Sequence, residues 1–256
     1  WWIVKKLWDK GLIYQGYKVT PHCPRCGTSL SSHEVALGYR DDAEDPSVYI
    51  KFKLFIPSLL KRDSVLRSIL KPAALSEKPA YFLAWTTTPW TLPGNTALAV
   101  APGAEYSVME GEQDHLILAM QLTGRVKLEG YKEAGVILGE DLAHLQYEPL
   151  FDPHDFGVHR VSLPSLYVQE ARKDLTYPVI SADFVSLEEG TGIVHMAPAF
   201  GEVDFDAGMD RGLDFVQPVD LEGKVTGTYL FAGKFVKDAD PLILDDLKSY
   251  GLLYLS

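Results

Sequence analysis

The strictest pattern in this sequence is the alternation of side chains along residues 48–54. Apolar residues take every second position, and polar or amphipathic residues stand between them: Val48, Ile50, Phe52 and Leu54 against Tyr49, Lys51 and Lys53. Successive side chains of a β-strand point to opposite faces of a sheet, so a period of two predicts a strand with one buried face. A chain with such a strand needs a sheet whose apolar face is covered by a core.

Further short strands are predicted at 35–40, 81–85, 96–100, 179–187 and 192–196. Between residues 106 and 137, glycines divide the chain into more short strands, with one helical piece near 116–122. Residues 71–79 and 144–177 show little periodicity and predict loops.

Helices are predicted at 2–12, 58–70, 202–211 and 240–250. The third is followed by Gly212, a residue type that commonly ends helices. The last has Asp240 as its expected N-cap and Pro241 at its first position. Many short strands with a few helices predict an α+β, β-rich fold with a β-barrel-like core and peripheral helices.

The composition limits the kinds of partner. The chain has 256 residues and a formal net charge of -11 at pH 7. Because nucleic acid is also negatively charged, this charge disfavours a domain that binds nucleic acid by itself. No apolar run reaches the roughly 18 residues of a membrane span. The first residues include neither an initiator methionine nor the charge order of a signal peptide. We therefore expect a piece of a longer cytoplasmic protein with no membrane partner.

The two cysteines stand in the sequence C-P-R-C-G, at Cys23 and Cys26. This spacing is typical of one half of a zinc ribbon, because a closed structural zinc site takes four ligands. Three interpretations remain open. The pair is a half-site whose partner cysteines lie outside this sequence, or a vestigial pair, or a complete local site with His22 and His33.

A first candidate for chemistry is the stretch W-T-T-T-P-W-T-L-P-G-N, which contains Thr86, Thr87, Thr88, Trp90 and Thr91. Threonine hydroxyls donate and accept hydrogen bonds, so such a cluster can orient a water molecule or hold ester and ribose oxygens. A residue before proline is extended, so the chain is expected to turn after Thr88. The alternative interpretation is that the threonines are simply good strand formers.

A second candidate is the stretch G-T-G-I-V-H-M-A-P-A-F-G-E-V-D, which contains His195 and Asp204. It predicts a strand, a loop and the start of a helix, so that both side chains can face one cavity. Asp204 can pair with a ligand ammonium through a charge-assisted hydrogen bond. The alternatives are that His195 is a hydrogen-bonded core residue and that Asp204 only complements the helix dipole. The sequence contains none of the common phosphate-loop, nucleophile-elbow or H-E-x-x-H motifs.

Taken together, these two stretches resemble the editing (CP1) domain of isoleucyl-tRNA synthetase, the large insertion in the catalytic domain of a class I enzyme. C-P-R-C-G-T-S-L-S-S-H-E-V-A and Y-E-P-L-F, at 147–151, also match, so the resemblance runs along most of the chain. The related valyl and leucyl enzymes typically have T-T-R-P where this sequence has T-T-T-P, which favours the isoleucyl type. The region 104–177 is longer than in the shorter bacterial members, so the resemblance assigns no site residue there.

The resemblance implies a role for each candidate residue in hydrolysing valine that is misattached to tRNA(Ile), or valyl-adenylate, while isoleucine is excluded. Asp204 would bind the α-ammonium group, and His195 would form the wall that leaves no room for the extra methylene. Thr87, Thr88 and Thr91 would hold the carbonyl and the terminal ribose, with help from Thr86, and Trp90 would shape the pocket. No cofactor is implied for this hydrolysis.

The resemblance also implies how the chain is divided and what it contacts. Residues 1–40 would be a connecting helix and half of a zinc ribbon, 41–235 the editing domain proper, and 236–256 a C-terminal helix and return linker. The second cysteine pair of the parent ligase would follow residue 256. The expected partners are the acceptor end of tRNA(Ile) and the catalytic domain of the parent. The His-Ile-Gly-His and Lys-Met-Ser-Lys-Ser signatures are missing, so the chain alone should not aminoacylate tRNA. The alternative functions are a catalytically silent domain that positions the tRNA acceptor end and a free-standing, unrelated hydrolase or metal-binding module.

Overall fold

The structure is a computed structural model that describes residues 1–13, 18–37, 45–61, 65–162 and 176–255. In these parts of the chain the strands are β1 (His22–Cys23), β2 (Thr28–Ser29), β3 (Val48–Lys53), β4 (Ala80–Thr86), β5 (Ala97–Val100), β6 (Glu105–Glu110), β7 (His115–Ala119), β8 (Lys132–Leu138), β9 (Arg160–Ser162), β10 (Val179–Ser181), β11 (Ile193–Met196), β12 (Asp214–Val216) and β13 (Leu253–Leu255). The α-helices are α1 (Trp2–Asp9), α2 (Ser32–Leu37), α3 (Ile56–Leu60), α4 (Val65–Leu70), α5 (Gly139–Leu142), α6 (Glu202–Arg211) and α7 (Val236–Ser249). Short 3-10 helices span Pro72–Ala74, Pro89–Gly94, Met120–Arg125 and Pro153–Phe156.

The largest sheet has six strands in the order β13-β3-β4-β7-β6-β8. β3 runs antiparallel to β4, with Val48 opposite Thr86, and β4 runs parallel to β7. Along β3, Val48, Ile50 and Phe52 are buried and the residues between them are half-buried. The strand predicted from the alternation at 48–54 is therefore confirmed, and the register carries β4 to the threonine stretch.

A three-stranded sheet in the order β10-β5-β11 forms the second half of the core. All four residues of β5 are buried, because apolar clusters cover both of its faces. Leu98 belongs to the main cluster, whereas Ala97 and Met196 belong to a second cluster that includes Phe205. β11 is antiparallel to β5 and places His195 opposite Leu98, which turns the histidine toward the main core.

The predicted fold class is confirmed: the chain is a sheet-rich α+β structure with helices at its periphery. The described strands form open sheets of two, three and six strands, and none of these sheets closes into a barrel. None of the helices in the described parts combines the length and apolar character that a membrane crossing requires.

Two predicted elements are wrong because local pattern alone did not separate helix from strand. Residues 35–37 were expected in a strand but belong to α2, whose start is fixed by a capping box between Ser31 and Glu34. Residues 38–40, with the boundary proposed at 40/41, lie outside the described residues. Conversely, the helical piece predicted near 116–122 is the buried strand β7 up to Ala119, and only Met120–Arg125 is helical.

The last helix begins earlier than predicted. α7 starts at Val236, so Asp240 and Pro241 lie inside it rather than at its N-terminus. The Asp-Pro pair is a valid helix-start signal, but here the Asp240 side chain is buried and accepts a hydrogen bond from Trp90, which is far away in sequence. The helix at 202–211 is confirmed as α6 and ends before Gly212. The predicted helix at 58–70 consists of the two helices α3 and α4, with residues 62–64 outside the described parts.

Candidate active site

The threonine stretch forms a connected set of hydroxyl groups where β4 ends. The Thr86 hydroxyl oxygen accepts the backbone N–H of Thr88 at 3.1 Å and lies 3.4 Å from the Thr88 hydroxyl oxygen. The Thr88 and Thr91 hydroxyl oxygens are 3.5 Å apart, and the Thr91 hydroxyl donates to the Thr88 carbonyl at 2.8 Å. β4 ends at Thr86 and the 3-10 helix Pro89–Gly94 follows, so the chain turns as the proline predicts.

His195 completes this set from β11. Its Nε2 lies 3.0 Å from the Thr91 hydroxyl oxygen. Because Thr91 gives its single hydroxyl proton to the Thr88 carbonyl, the imidazole must donate, which assigns the proton to Nε2. The Nδ1 atom is buried and has no hydrogen-bond partner among the described residues. Burial lowers the pKa of His195 to about 4, so the ring is neutral at physiological pH.

Asp204 lies in the first turn of α6 and folds back toward the end of β11. Its Oδ2 accepts the backbone N–H of Ala197 at 2.9 Å, two residues after His195. Burial raises the pKa of the Asp204 carboxyl, and the Ala197 hydrogen bond lowers it in part. Gly201 makes this approach possible, because a Cβ at that position would lie 3.0 Å from the carboxylate.

Asp204 borders a cavity of about 330 Å³. The other walls of this cavity include the apolar side chains Trp85, Phe184, Val194 and Val203. The polar side chains Ser186, Glu189 and Thr191 also border this cavity. Its carboxylates and apolar walls suit a small ligand with a positive charge and a hydrocarbon side chain.

The glycines of the G-T-G segment shape the wall of this cavity. Gly190 and Gly192 have φ angles of +72° and +69°, in the left-handed region that favours glycine. A Cβ on Gly190 would come within 2.9 Å of the Trp85 ring, and one on Gly192 within 2.5 Å of the Ala119 side chain. The loop can therefore lie flat against β4 and β7.

The other two predicted residues take different positions. Trp90 is half-buried, and its ring packs edge-on against Phe200 with 4.8 Å between the centroids. Trp90 and Phe200 also border a larger cavity of about 520 Å³ that reaches the segment before the Cys-x-x-Cys turn. Thr87 is half-buried and has no side-chain hydrogen bond to another described residue. The structure thus joins Thr86, Thr88, Thr91 and His195 directly, with Asp204 attached through the backbone at Ala197.

Comparison with known proteins identifies the family. The family model described as tRNA synthetases class I (I, L, M and V) matches residues 1–215. The chain belongs to the class I tRNA synthetases.

The sequence relatives compared with this chain are isoleucine--tRNA ligases. The chain is 51% identical over 254 residues to the ligase of Dehalococcoides mccartyi and 43% identical over 258 residues to that of Clostridium novyi. These matches cover 99% and 100% of the chain. They cover only 25% and 21% of the two relatives, so the chain spans about a quarter of their length.

Solved structures give the fold of this part of the synthetase. The crystal structure of GlLeuRS-CP1 matches with a TM-score of 0.60 and 17% identity, over 82% of this chain and 97% of that one. The cytosolic leucyl-tRNA synthetase editing domain of P. knowlesi matches with a TM-score of 0.58 and 11% identity, over 85% and 98% of the two chains. The resemblance to the isoleucyl-type CP1 editing domain is therefore confirmed at the level of family, relatives and fold.

Three residues that support the site were not predicted as site residues: Asn95, Tyr147 and Asp240. Asn95 is buried and donates its side-chain amide to the carbonyls of Ala97 and Met196, which ties the threonine loop to β5 and β11. Its Oδ1 accepts the Tyr147 hydroxyl at 2.5 Å. The third is Asp240, which binds the Trp90 backbone. Asn95 has the sequence context of a turn residue and Tyr147 lies in the region 104–177, so no local signal marked either.

The cysteine pair of the synthetase lies on the short hairpin of β1 and β2, with Cys23 half-buried and Cys26 exposed. Hydrogen bonds from the Cys26 backbone and thiol lower the pKa of Cys23, which suits a metal-binding thiolate. No group of three or more His, Cys, Asp or Glu side chains with metal-binding geometry occurs in the described parts of the chain. His22 contacts the Leu221 carbonyl instead, at 2.8 Å. The two thiols fit half of a zinc site, and the described residues do not form a complete local one.

Proposed function

We propose that this chain is the editing part of an isoleucine--tRNA ligase and hydrolyses the ester of valine misattached to tRNA(Ile). Valyl-adenylate is a second proposed substrate. The observation that carries the proposal is the hydrogen-bonded set of Thr86, Thr88, Thr91 and His195 beside the Asp204 carboxylate. Its support is a family and a set of relatives in which isoleucine and tRNA are the named substrates.

Asp204 is the proposed binding residue for the α-ammonium of the amino acid. Its carboxylate is held toward the end of β11 by Ala197, and an apolar cavity lies beside it. An ammonium group next to a half-buried carboxylate forms a charge-assisted hydrogen bond and stabilises the ionised acid. Binding would therefore reverse the upward shift that burial imposes on the Asp204 pKa.

His195 is the proposed specificity wall. Its neutral ring is held by Thr91 on one side and by burial on the others, so its position is rigid. Isoleucine exceeds valine by one methylene, a difference worth about 1–3 kcal/mol in a hydrophobic pocket, as established for this pair of amino acids. A rigid wall that excludes this methylene turns the small difference into steric exclusion of isoleucine.

The threonine hydroxyls are the proposed groups that orient the ester. Thr88 and Thr91, with Thr87 and Thr86 beside them, offer donors and acceptors for the ester carbonyl and the terminal ribose. Attack by a positioned water molecule needs no serine or cysteine nucleophile, and donors near the carbonyl oxygen stabilise the developing negative charge. The Nε2 proton of His195 is committed to Thr91, so His195 acts as a wall rather than as the base at that nitrogen.

The rest of the ligase supplies what this chain does not contain. The signatures for isoleucine activation are missing from the sequence, so aminoacylation belongs to the parent's catalytic domain. The exposed apolar residues of α1, which include Trp2 and Trp8, suit packing against that domain. Partner cysteines outside this sequence would complete the zinc half-site of Cys23 and Cys26. The proposed divisions at 1–40, 41–235 and 236–256 follow this scheme, and the cytoplasm is the expected compartment.

The test is deacylation of valine-charged and isoleucine-charged tRNA(Ile) by this chain. We expect cleavage of the valine ester only. If neither ester is cleaved but the chain binds a non-hydrolysable valyl-adenosine analogue, the alternative of a catalytically silent positioning domain is correct. If neither cleavage nor binding occurs, the editing proposal fails.

A further inference from the structure

Asp240 lies inside α7, and its carboxylate is buried although it is not one of the site residues described above. Only 5% of the residue is exposed. Its Oδ1 accepts the backbone N–H of Trp90 at 2.7 Å, across 150 positions of sequence. A buried carboxylate is retained at a cost, and this hydrogen bond is the interaction that offsets it.

The Trp90 N–H needs a partner that its own helix does not supply. Pro89 has no N–H, and the N–H of Thr91 already binds the Thr88 carbonyl. Thr88 is the N-cap residue of this 3-10 helix, but its side chain makes no capping hydrogen bond. Asp240 therefore acts as an N-cap from another element.

This contact fixes the residues on both sides of Trp90. Thr88 precedes the anchored amide by two residues and Thr91 follows it directly, and their hydroxyls form the set described above. The Trp90 ring is held separately by Phe200. Rotation of the Trp90 peptide would change the spacing of the Thr88 and Thr91 hydroxyls.

The surroundings of Asp240 allow its charge to change near neutral pH. Burial raises the pKa of Asp240 to about 6. Lys237 on the same helix lowers it and Asp45 raises it, and these two side chains form an ion pair with each other. The segment 89–94 contains no ionisable side chain.

We propose that Asp240 is a positioning residue of the threonine loop, and that its carboxylate sets the spacing of the hydroxyls that hold the ester. The consequence for catalysis rests on the proposed editing function. The anchoring itself does not, so the two can be tested apart.

The anchoring is tested by the backbone amide signal of Trp90, followed by NMR between pH 5 and 8. A charged acceptor shifts an amide proton more than a neutral one, so the signal should move with a midpoint near pH 6. Asp240→Asn should abolish this movement. Asp238→Asn, at an exposed position of the same helix, should leave it unchanged. A Trp90 amide that does not respond to pH in the native chain overturns the anchoring.

The catalytic consequence is tested by the deacylation rate on valine-charged tRNA(Ile) over the same pH range. Asp240→Ala should lower kcat by about 10-fold with little change in KM, because misplaced orienting groups reduce turnover rather than binding. Asp240→Asn keeps a neutral acceptor, so the ratio of native to variant kcat should be close to one at pH 5 and rise through pH 6. Near-UV circular dichroism checks that each variant is folded.

The outcomes separate the two proposals. If the native chain cleaves the ester and the native-to-asparagine ratio is flat with pH, Asp240 does not position the loop. If the native chain cleaves neither ester while the Trp90 amide still titrates, the editing function fails and the anchoring stands.

Discussion

The hydroxyl oxygen of Thr91 and the Nε2 of His195 lie 3.0 Å apart although 104 positions separate them in the chain. This contact joins the loop after β4 to the centre of β11 and fixes the tautomer of the histidine. A neutral, buried imidazole that is hydrogen-bonded to Thr91 is suited to exclude a methylene and unsuited to gain a proton.

His195→Ala should allow the chain to cleave isoleucine-charged tRNA(Ile). Truncation opens space where we expect the extra methylene of isoleucine to collide, and relief of such overpacking is worth about 1–3 kcal/mol, which corresponds to about 5- to 150-fold in rate. The measurement is the ratio of deacylation rates on the isoleucine and valine esters. His154→Ala, at an exposed position, serves as the control and should keep the native ratio. An unchanged ratio in His195→Ala would show that another residue excludes isoleucine.

Asp204→Ala should weaken binding of the amino acid moiety. Loss of a charge-assisted hydrogen bond to an ammonium costs about 1.5–3 kcal/mol, which predicts a fall of about 10- to 100-fold in affinity for a valyl-adenosine analogue. Calorimetric titration measures this affinity. Asp206→Ala, exposed on the same helix, should bind like the native chain. A second analogue that lacks the amino group tests the role of Asp204. If losing the amino group costs as much affinity for the Asp204→Ala variant as for the native chain, Asp204 does not bind the ammonium group.

Gly201→Ala should reduce deacylation through Asp204 without altering any charge. The added Cβ would lie 3.0 Å from the carboxylate, which must then shift by a few tenths of an ångström from its position at the Ala197 N–H. We expect a rise in KM for the valine ester of about 10-fold, since the ammonium loses part of its charge-assisted bond. Gly103→Ala is the matched control, because a Cβ added there would meet no atom within 4 Å and the φ of Gly103 is not in the left-handed region. Native kinetics in Gly201→Ala would contradict the tight placement of Asp204.

The contribution of His195 to the stability of the chain should fall as the pH is lowered from about 6.5 to 4, while the raised pKa values of Asp240 and Asp204 act in the opposite direction. The unfolded chain gains a proton on His195 near pH 6.5, whereas the folded chain does so only at about 4. The unfolded state therefore binds more protons in this window, and the loss reaches up to about 3 kcal/mol in the free energy of unfolding. Urea denaturation at pH 4.5, 5.5, 6.5 and 7.5 measures it. His195→Gln should lose less stability than the native chain between pH 6.5 and 4.5, while His154→Gln, at an exposed position, serves as the control. Equal slopes for the native chain and His195→Gln would mean that the ring is not buried in neutral form.

The sequence by itself determined the elements whose signals are local. The alternation at 48–54 made β3 predictable, because the period of two is a property of each strand alone. Gly212 made the end of α6 predictable in the same way. The two motif stretches also carried the family resemblance, since their residue order does not depend on how the chain folds.

Only the tertiary structure decided which distant groups meet and how they are charged. The apolar run of β7 fits helix or strand equally well, and its place between β4 and β6 made it a strand. Asp240 carries the same local signal as a helix N-cap, yet burial against the threonine loop drew its carboxylate to Trp90. The register of β11 on β5 turned His195 into the core, and the resulting desolvation made it neutral. Hydrogen bonds between remote residues depend on packing and register, and no window of sequence contains that information.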